Sequence, residues 1–179
     1  MEWKMKKLSN FYRVSQIKRR ELKERLQSLK LVKLPDGRYD VIENADFSNL
    51  RLNSLLEIPI RIRRVTGSFW CDHNHLTSLE GALEYVGGGF YCAGNELQTL
   101  EGAPEYVGGN FDCSSNELKT LKGTPEYIGG SFDCSYNQLT TLEGAPKRVG
   151  RDFICFNNPR KFTEAEVRKL VNVRGKVIV

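Results

Sequence analysis

Histidine is nearly missing from this chain: among 179 residues it occurs only as His73 and His75. That leaves little for imidazole catalysis or for a histidine-rich metal centre. No C-x-x-C pair is present, which removes the usual zinc spacing. The cysteines number five, an odd count that no complete set of internal disulfides can absorb. No apolar run approaches the length of a membrane span. The opening stretch MEWKMKKLSNFYRV is basic and lacks the apolar core of a secretion signal. These absences imply an intracellular, cytoplasmic protein with no cofactor and no metal.

What is abundant is repetition. Val86–Tyr106 reads VGGGFYCAGNELQTLEGAPEY, Val107–Tyr127 reads VGGNFDCSSNELKTLKGTPEY, and Ile128–Arg148 reads IGGSFDCSYNQLTTLEGAPKR. The period is 21 residues, and a fixed period of this size signals a stacked solenoid. Counted in steps of 21, one column runs Asn53, Asn74, Asn95, Asn116, Asn137, Asn158. Three residues earlier stand Leu50 and then Cys71, Cys92, Cys113, Cys134 and Cys155. Five earlier stand Ser48 and then Phe69, Phe90, Phe111, Phe132 and Phe153. Leucines follow two and five residues after most of the asparagines.

Phe and Cys flanking one variable residue is the alternation of a short strand with one face inward. Gly-Gly pairs and Pro104, Pro125 and Pro146 punctuate the return of the chain. A unit this short cannot hold a strand and a long helix, so the other side should be turns, extended chain or brief 3₁₀ pieces. One lap cannot bury its own Phe, Cys and Leu, whereas stacked laps bury them as a column. Uniformly spaced cysteines in that column suit packing better than pairing.

The motif F-x-C-x-x-N-x-L-x-x-L resembles the L-x-L-x-x-N-x-L core of leucine-rich repeats, with Phe and Cys in place of two leucines. The short unit with a proline near its end is similar to the bacterial short-repeat class. The pattern FDCS.N.LT.LEGAP..VGG followed by NVRGKVIV also resembles uncharacterised leucine-rich repeat proteins of large tailed bacteriophages. The resemblance covers about residues 45–159. It implies a repeat solenoid, mainly parallel β with a turn or 3₁₀ convex side, and an asparagine column turned inward onto backbone groups.

The organisation expected is a basic helical N-terminal cap over 1–34, a degenerate first coil over 35–64, the solenoid over 65–160 and a short α/β C-terminal cap over 161–179. Ser15–Lys30 has helix-forming composition, with Ser15 as N-cap and a stripe of Leu22, Leu26 and Leu29 beside Ile17. The aromatics Trp3, Phe11 and Tyr12 could pack that cap. Pro35-Asp36-Gly37 marks a turn, residues 38–42 a strand, Thr163 to Glu166 a capping box, and residues 176–179 a last strand.

The net charge of +5 conceals a division. Residues 1–34 carry eleven basic side chains against three acidic, and residues 65–148 four against eleven. Basic ends flank an acidic middle.

Three outward columns vary while the rest repeats. They run Asn49, Trp70, Tyr91, Asp112, Asp133, Ile154; then Arg51, Asp72, Ala93, Ser114, Ser135, Phe156; then Leu52, His73, Gly94, Ser115, Tyr136, Asn157. Aromatics beside carboxylates are the anchor-and-charge chemistry of protein interfaces. The expected function is non-catalytic binding of a partner protein with a basic segment, through Trp70, Asp72, His73, Tyr91, Asp112, Asp133, Tyr136 and Phe156. The alternative is nucleic-acid binding by Lys18, Arg19, Arg20, Lys23 and Arg25, which would weaken steeply with salt. Arg61, Arg63 and Arg64 read as a solvated edge, with a phosphate site as the other reading. Paired Asp112 and Asp133 could serve acid–base or divalent-ion chemistry, but no nucleophile–base pair accompanies them.

Overall fold

Each lap of the chain lays down two short strands, and the computed structural model stacks these into two sheets. The structure describes the backbone of residues 2–179 and the side chains of residues 15–179. The packing of Trp3, Phe11 and Tyr12 therefore lies outside the described residues. The molecule is a parallel β-solenoid with a helix at each end, as the repeat implies.

The phenylalanine sheet has seven parallel strands, from Ala45–Asp46 through Phe69–Trp70, Phe90–Tyr91, Phe111–Asp112, Phe132–Asp133 and Phe153–Ile154 to Val177–Ile178. The tyrosine sheet has eight. Lys30–Lys33 pairs antiparallel with Tyr39–Ile42. The rest are parallel: Ile62–Val65, Tyr85–Val86, Tyr106–Val107, Tyr127–Ile128, Arg148–Val149 and Asn172–Val173. This second sheet is the part of the lap expected to be only turns and extended chain. Its signature, Tyr-Val or Tyr-Ile before Gly-Gly, is two residues long and too short for an alternating pattern to show.

Glycine sets the corner between the sheets. A Cβ on Gly108 would lie 2.3 Å from the carbonyl oxygen of Gly87 in the lap before, and one on Gly129 would lie 2.0 Å from that of Gly108. No side chain fits where backbones approach this closely.

Inside, Phe69, Phe90, Phe111, Phe132 and Phe153 stack in a column with ring centroids 5.3–5.7 Å apart. The five cysteines are buried and reduced beside them. Burial pushes their thiols upward, Cys155 to about 11, so they are inert packing groups at neutral pH.

The asparagines join the laps. Asn116 Oδ1 accepts from Leu97 N–H at 3.0 Å, while its Nδ2 donates to Cys92 and Cys113 carbonyls at 3.1 Å. Asn74, Asn95, Asn137 and Asn158 repeat these contacts. Each amide satisfies buried backbone groups at a bend that no ladder bond reaches.

The first coil requires a correction. Val41 pairs with Val65 and Ala45 with Phe69, steps of 24, against 21 for Val65 to Val86 and Phe69 to Phe90. Counting back by 21 therefore misplaced Ser48, Leu50, Asn53, Leu55 and Ile58 by three residues. Ala45 occupies the phenylalanine slot, Phe47 the cysteine slot and Leu50 the asparagine slot. Asn53 is exposed and accepts nothing from the core; its backbone N–H donates to Glu57. The small and large residues have exchanged places, so the layer keeps its volume. Leu52, placed outward by the 21-step count, is fully buried. The three extra residues enter between the 3₁₀ turn at Leu55–Glu57, capped by Ser54, and the strand Ile62–Val65, where the step of 21 resumes. The last coil is also lengthened to 24, from Val149 to Val173, and holds a helix.

The N-terminal helix α1 spans Glu2–Ser28, longer than the expected segment and not capped at Ser15, since nothing in residues 2–14 breaks a helix. Leu22 is buried and Leu26 and Leu29 pack on the core, but Ile17 is exposed. The C-terminal helix α2, Glu164–Leu170, begins with the expected capping box between Thr163 and Glu166. No helix among the described residues is long and apolar enough to cross a membrane.

The corrected register has a direct test by thermal or urea unfolding. Asn116→Ala strands Leu97 N–H and Cys92 C=O and should cost about 2–6 kcal/mol, from about 1–3 kcal/mol for each buried unsatisfied group. Asn53→Ala, in the same 21-step column, should change stability by less than about 0.5 kcal/mol.

Candidate protein-binding face

Residues alternating with the buried Phe and Cys lie on the outer side of the phenylalanine sheet. With the register corrected, the first row runs Asp46, Trp70, Tyr91, Asp112, Asp133, Ile154. The second is Ser48, Asp72, Ala93, Ser114, Ser135, Phe156, and the third is Asn49, His73, Gly94, Ser115, Tyr136, Asn157. Asn49 thus belongs to the His73 row rather than to the Trp70 row, and Arg51 lies outside all three.

The structure brings the expected aromatics together in two pairs. Trp70 and Tyr91 stack with centroids 5.3 Å apart and planes within 7°. Tyr136 and Phe156 meet edge to face at 5.2 Å. Trp70, Tyr91 and Phe156 are half-buried, while Tyr136 is 53% exposed. The third row is strained: His73, Ser115, Tyr136 and Asn157 all have φ between 52° and 54°, where glycine stands once, at Gly94. For an L-residue this left-handed region costs about 1–2 kcal/mol. A bulky, exposed tyrosine held in that conformation is the kind of outlier that accompanies function.

The aspartates have structural duties that the sequence did not disclose. Asp112 Oδ1 accepts from Ser114 N–H at 3.0 Å. Asp133 Oδ1 accepts from Ser135 N–H at 2.9 Å and from its hydroxyl at 2.6 Å, and Asp46 does the same with Ser48. Their side chains shape the strand end, so Ser or Thr could not replace them freely. The second oxygens of Asp112 and Asp133 have no hydrogen-bond partner among the described residues.

Asp72 differs. Its side chain is 18% exposed, and its Oδ1 is buried with no hydrogen-bond partner among the described residues. His73 Nε2 stands 3.9 Å from the other oxygen. Burial pushes the Asp72 carboxyl above its usual range; its own backbone N–H and then His73 oppose this, and Asp46 and Asp112 add to it. Burial also raises Asp133, with Asp112 contributing. The face is a set of carboxylates that repel one another.

Of the five basic candidates in α1, Lys18 and Arg25 are tied to the first coil. Lys18 pairs with Glu57 and donates to the Arg51 carbonyl at 2.9 Å. Arg20 bonds Glu24 at 3.0 Å, and Arg25 pairs with Asp46. Arg19 and Lys23 are exposed, with no ion pair among the described residues. Helix α1 is thereby fastened over the first coil. Arg63 grips buried Asp40 through two bonds of 2.9 and 2.6 Å, and Arg64 adds a third at 3.0 Å. Arg63 holds the Asp40 carboxyl below its usual range. Of the three-arginine cluster, only Arg61 is fully exposed.

On the opposite sheet the sequence reading missed a second row, Tyr85, Tyr106 and Tyr127, whose rings stack along the solenoid. The 21-residue spacing of these tyrosines was visible but was absorbed into the return of the chain. Comparison with protein-family models, curated proteins and solved structures returns no match.

The raised Asp72 carboxyl gives a pH test. A carboxyl that binds its proton more tightly when folded destabilises the fold above that folded pKa, and the penalty vanishes below the ordinary carboxylate range. Asp72→Asn should therefore raise the melting temperature at pH 7, with the gain fading by about pH 3. A lower Tm for the variant at pH 7 would show that Asp72 is structural.

Proposed function

We propose that the protein is a non-catalytic binding module that takes a basic segment of a partner protein on the outer face of the phenylalanine sheet. The observation that carries this reading is Asp72, a poorly solvated carboxylate with a vacant oxygen, set between like charges and beside the Trp70–Tyr91 stack. An incoming Lys or Arg would pair with the accessible Oδ2 and relieve the repulsion. Trp70, Tyr91 and Tyr136 would anchor the apolar parts of the segment, and Asp112 and Asp133 would extend the negative strip. With the bacteriophage resemblance, the reading becomes an accessory protein that inhibits or redirects a host factor. The engagement of Lys18 and Arg25 with the first coil favours α1 as a cap over α1 as a nucleic-acid helix.

Affinity capture from a bacterial lysate, with and without nuclease, tests the proposal. A protein should be retained after nuclease treatment. A Trp70→Ala, Tyr91→Ala, Asp72→Asn variant with a normal melting curve should bind it at least about thirtyfold more weakly, the scale of losing one interface hot spot of about 2 kcal/mol. Undiminished capture by that variant would reject this face, and nuclease-sensitive capture would point to nucleic acid.

A further inference from the structure

The two sheets finish differently at the C-terminal side of the stack. In the tyrosine sheet each lap offers carbonyls to the next: Val149 C=O accepts from Arg174 N–H at 3.1 Å, and Arg151 C=O from Gly175 N–H at 2.9 Å. The matching carbonyls of the last lap, Val173 and Gly175, are taken by the Arg168 guanidinium of α2, each at 2.9 Å. In the phenylalanine sheet each lap offers N–H groups instead. Phe153 N–H donates to Lys176 C=O at 2.9 Å, and Cys155 N–H to Ile178 C=O at 2.8 Å. The matching groups of the last strand are Val177 N–H and Val179 N–H, with Val177 C=O between them. None of the three has a partner among the described residues. The core is open at the same place. Val179 stands in the cysteine slot and is 49% exposed, and Val177, in the phenylalanine slot, is half-buried. At the other end Ala45 and Phe47, in the same two slots, are fully buried.

Cations outnumber carboxylates around this edge. Arg151, Arg174 and Lys176 are exposed, with no ion pair among the described residues. Beside them stands Asp152, whose Oδ1 accepts from Lys176 N–H at 2.7 Å. Glu164 and Glu166 are held by Arg168 and Arg160. Lys161 and the Val179 carboxylate line one hollow and offset each other. Asp133 is two strand spacings back, about 9.6 Å, beyond a Debye length of about 8 Å.

We propose that the strand Val177–Ile178 pairs with an extended segment of a partner protein in which apolar and acidic residues alternate. The main-chain groups select a strand, which returns two acceptors and a donor to Val177 and Val179 as a further lap would. The pleat then sorts its side chains. One face continues the core over Val177 and Val179; the other lies beside Ile178 and Lys176, where acidic groups meet Lys176, Arg174 and Arg151. A nucleic acid would satisfy the cations but neither the backbone groups nor the valines. A second copy does not match: the opposite edge of the sheet is under α1. Two C-terminal ends face to face would oppose segments, residues 149–179, that each hold seven basic against three acidic side chains. The edge lies five strand spacings from Trp70, about 24 Å, and is separate from the face above.

The test is fluorescence anisotropy of the full chain with labelled peptides of glutamate and valine in strict alternation. One control is N-methylated at every residue, which keeps the side chains and removes backbone pairing; another has the same composition in two blocks. The alternating peptide should bind at least about tenfold more tightly than either control. Lys176→Glu should weaken it at least about tenfold, and Asp72→Asn should leave it unchanged. Val177→Pro, which removes an N–H that the ladder does not use, should also weaken it; if that variant melts lower, Lys176→Glu and the methylated peptide still decide. Equal binding of the methylated peptide, or binding indifferent to Lys176→Glu, overturns the proposal. So does displacement of the peptide by a single-stranded oligonucleotide of equal charge at equal or lower concentration, which assigns the patch to phosphate. A dimer in sedimentation that Val177→Pro abolishes assigns the edge to a second copy and overturns it equally.

Discussion

One side-chain amide per lap holds this molecule together. At each bend after the phenylalanine strand the backbone leaves its ladder, and buried N–H and C=O groups lose their regular partners. The asparagine amide supplies an acceptor and two donors from a single rigid group and reaches the lap before as well as its own. Leucine could fill the volume but could not make the bonds, and aspartate would lack the donors. The period follows from this: each lap must return the next asparagine to a fixed place over the last. Glycine at the opposite corner meets the same demand sterically, by letting carbonyls approach where a methyl group would collide.

At the ends the demand relaxes. Leu50 occupies the asparagine slot of the first coil because no earlier lap waits to be joined there. Asn74 compensates by accepting from both Leu50 and Leu52 N–H groups. Freed from the strict period, both terminal coils lengthen to 24 and carry the elements that shield the stack. Helix α1 lays Leu22, Leu26 and Leu29 over one end, and α2 lays Val167 over the other. A stack of parallel strands exposes unpaired ladder groups and apolar side chains at its ends, and the helices answer that hazard.

The repeated interior was legible because period, burial and bonding coincide there. Phe, Cys, Asn and Leu recur at fixed spacing, and each spacing has one physical meaning. The first coil was misread because Ser48 to Ile58 keep an apolar pattern that fits a step of 21 nearly as well as one of 24. Only the exchange of Ala45 for Phe and Phe47 for Cys distinguishes them, and that exchange is visible only once strands are paired. The second sheet was missed because two residues cannot display alternation. At the binding face, row membership and the aromatic pairs were readable from the variable positions. The turn bonds of Asp112 and Asp133 and the unsatisfied oxygen of Asp72 were not, since they depend on backbone direction at a left-handed residue.

These hidden bonds change which residues speak for function. A charge that caps a turn explains itself, and Asp46, Asp112 and Asp133 all do so in part. Asp72 caps no such turn: one oxygen is buried and unbonded, and burial pushes its ionisation the wrong way. An asparagine of the same shape would lower that tension. Tyr136 makes the same point in backbone terms, because glycine at that slot would be relaxed, as Gly94 is. Two groups that the fold would be more stable without therefore sit on one face, Asp72 near the stacked Trp70–Tyr91 pair and Tyr136 against Phe156. Strain and unpaired charge, placed where the repeat is otherwise free to vary, are the two observations on which the proposed binding face rests.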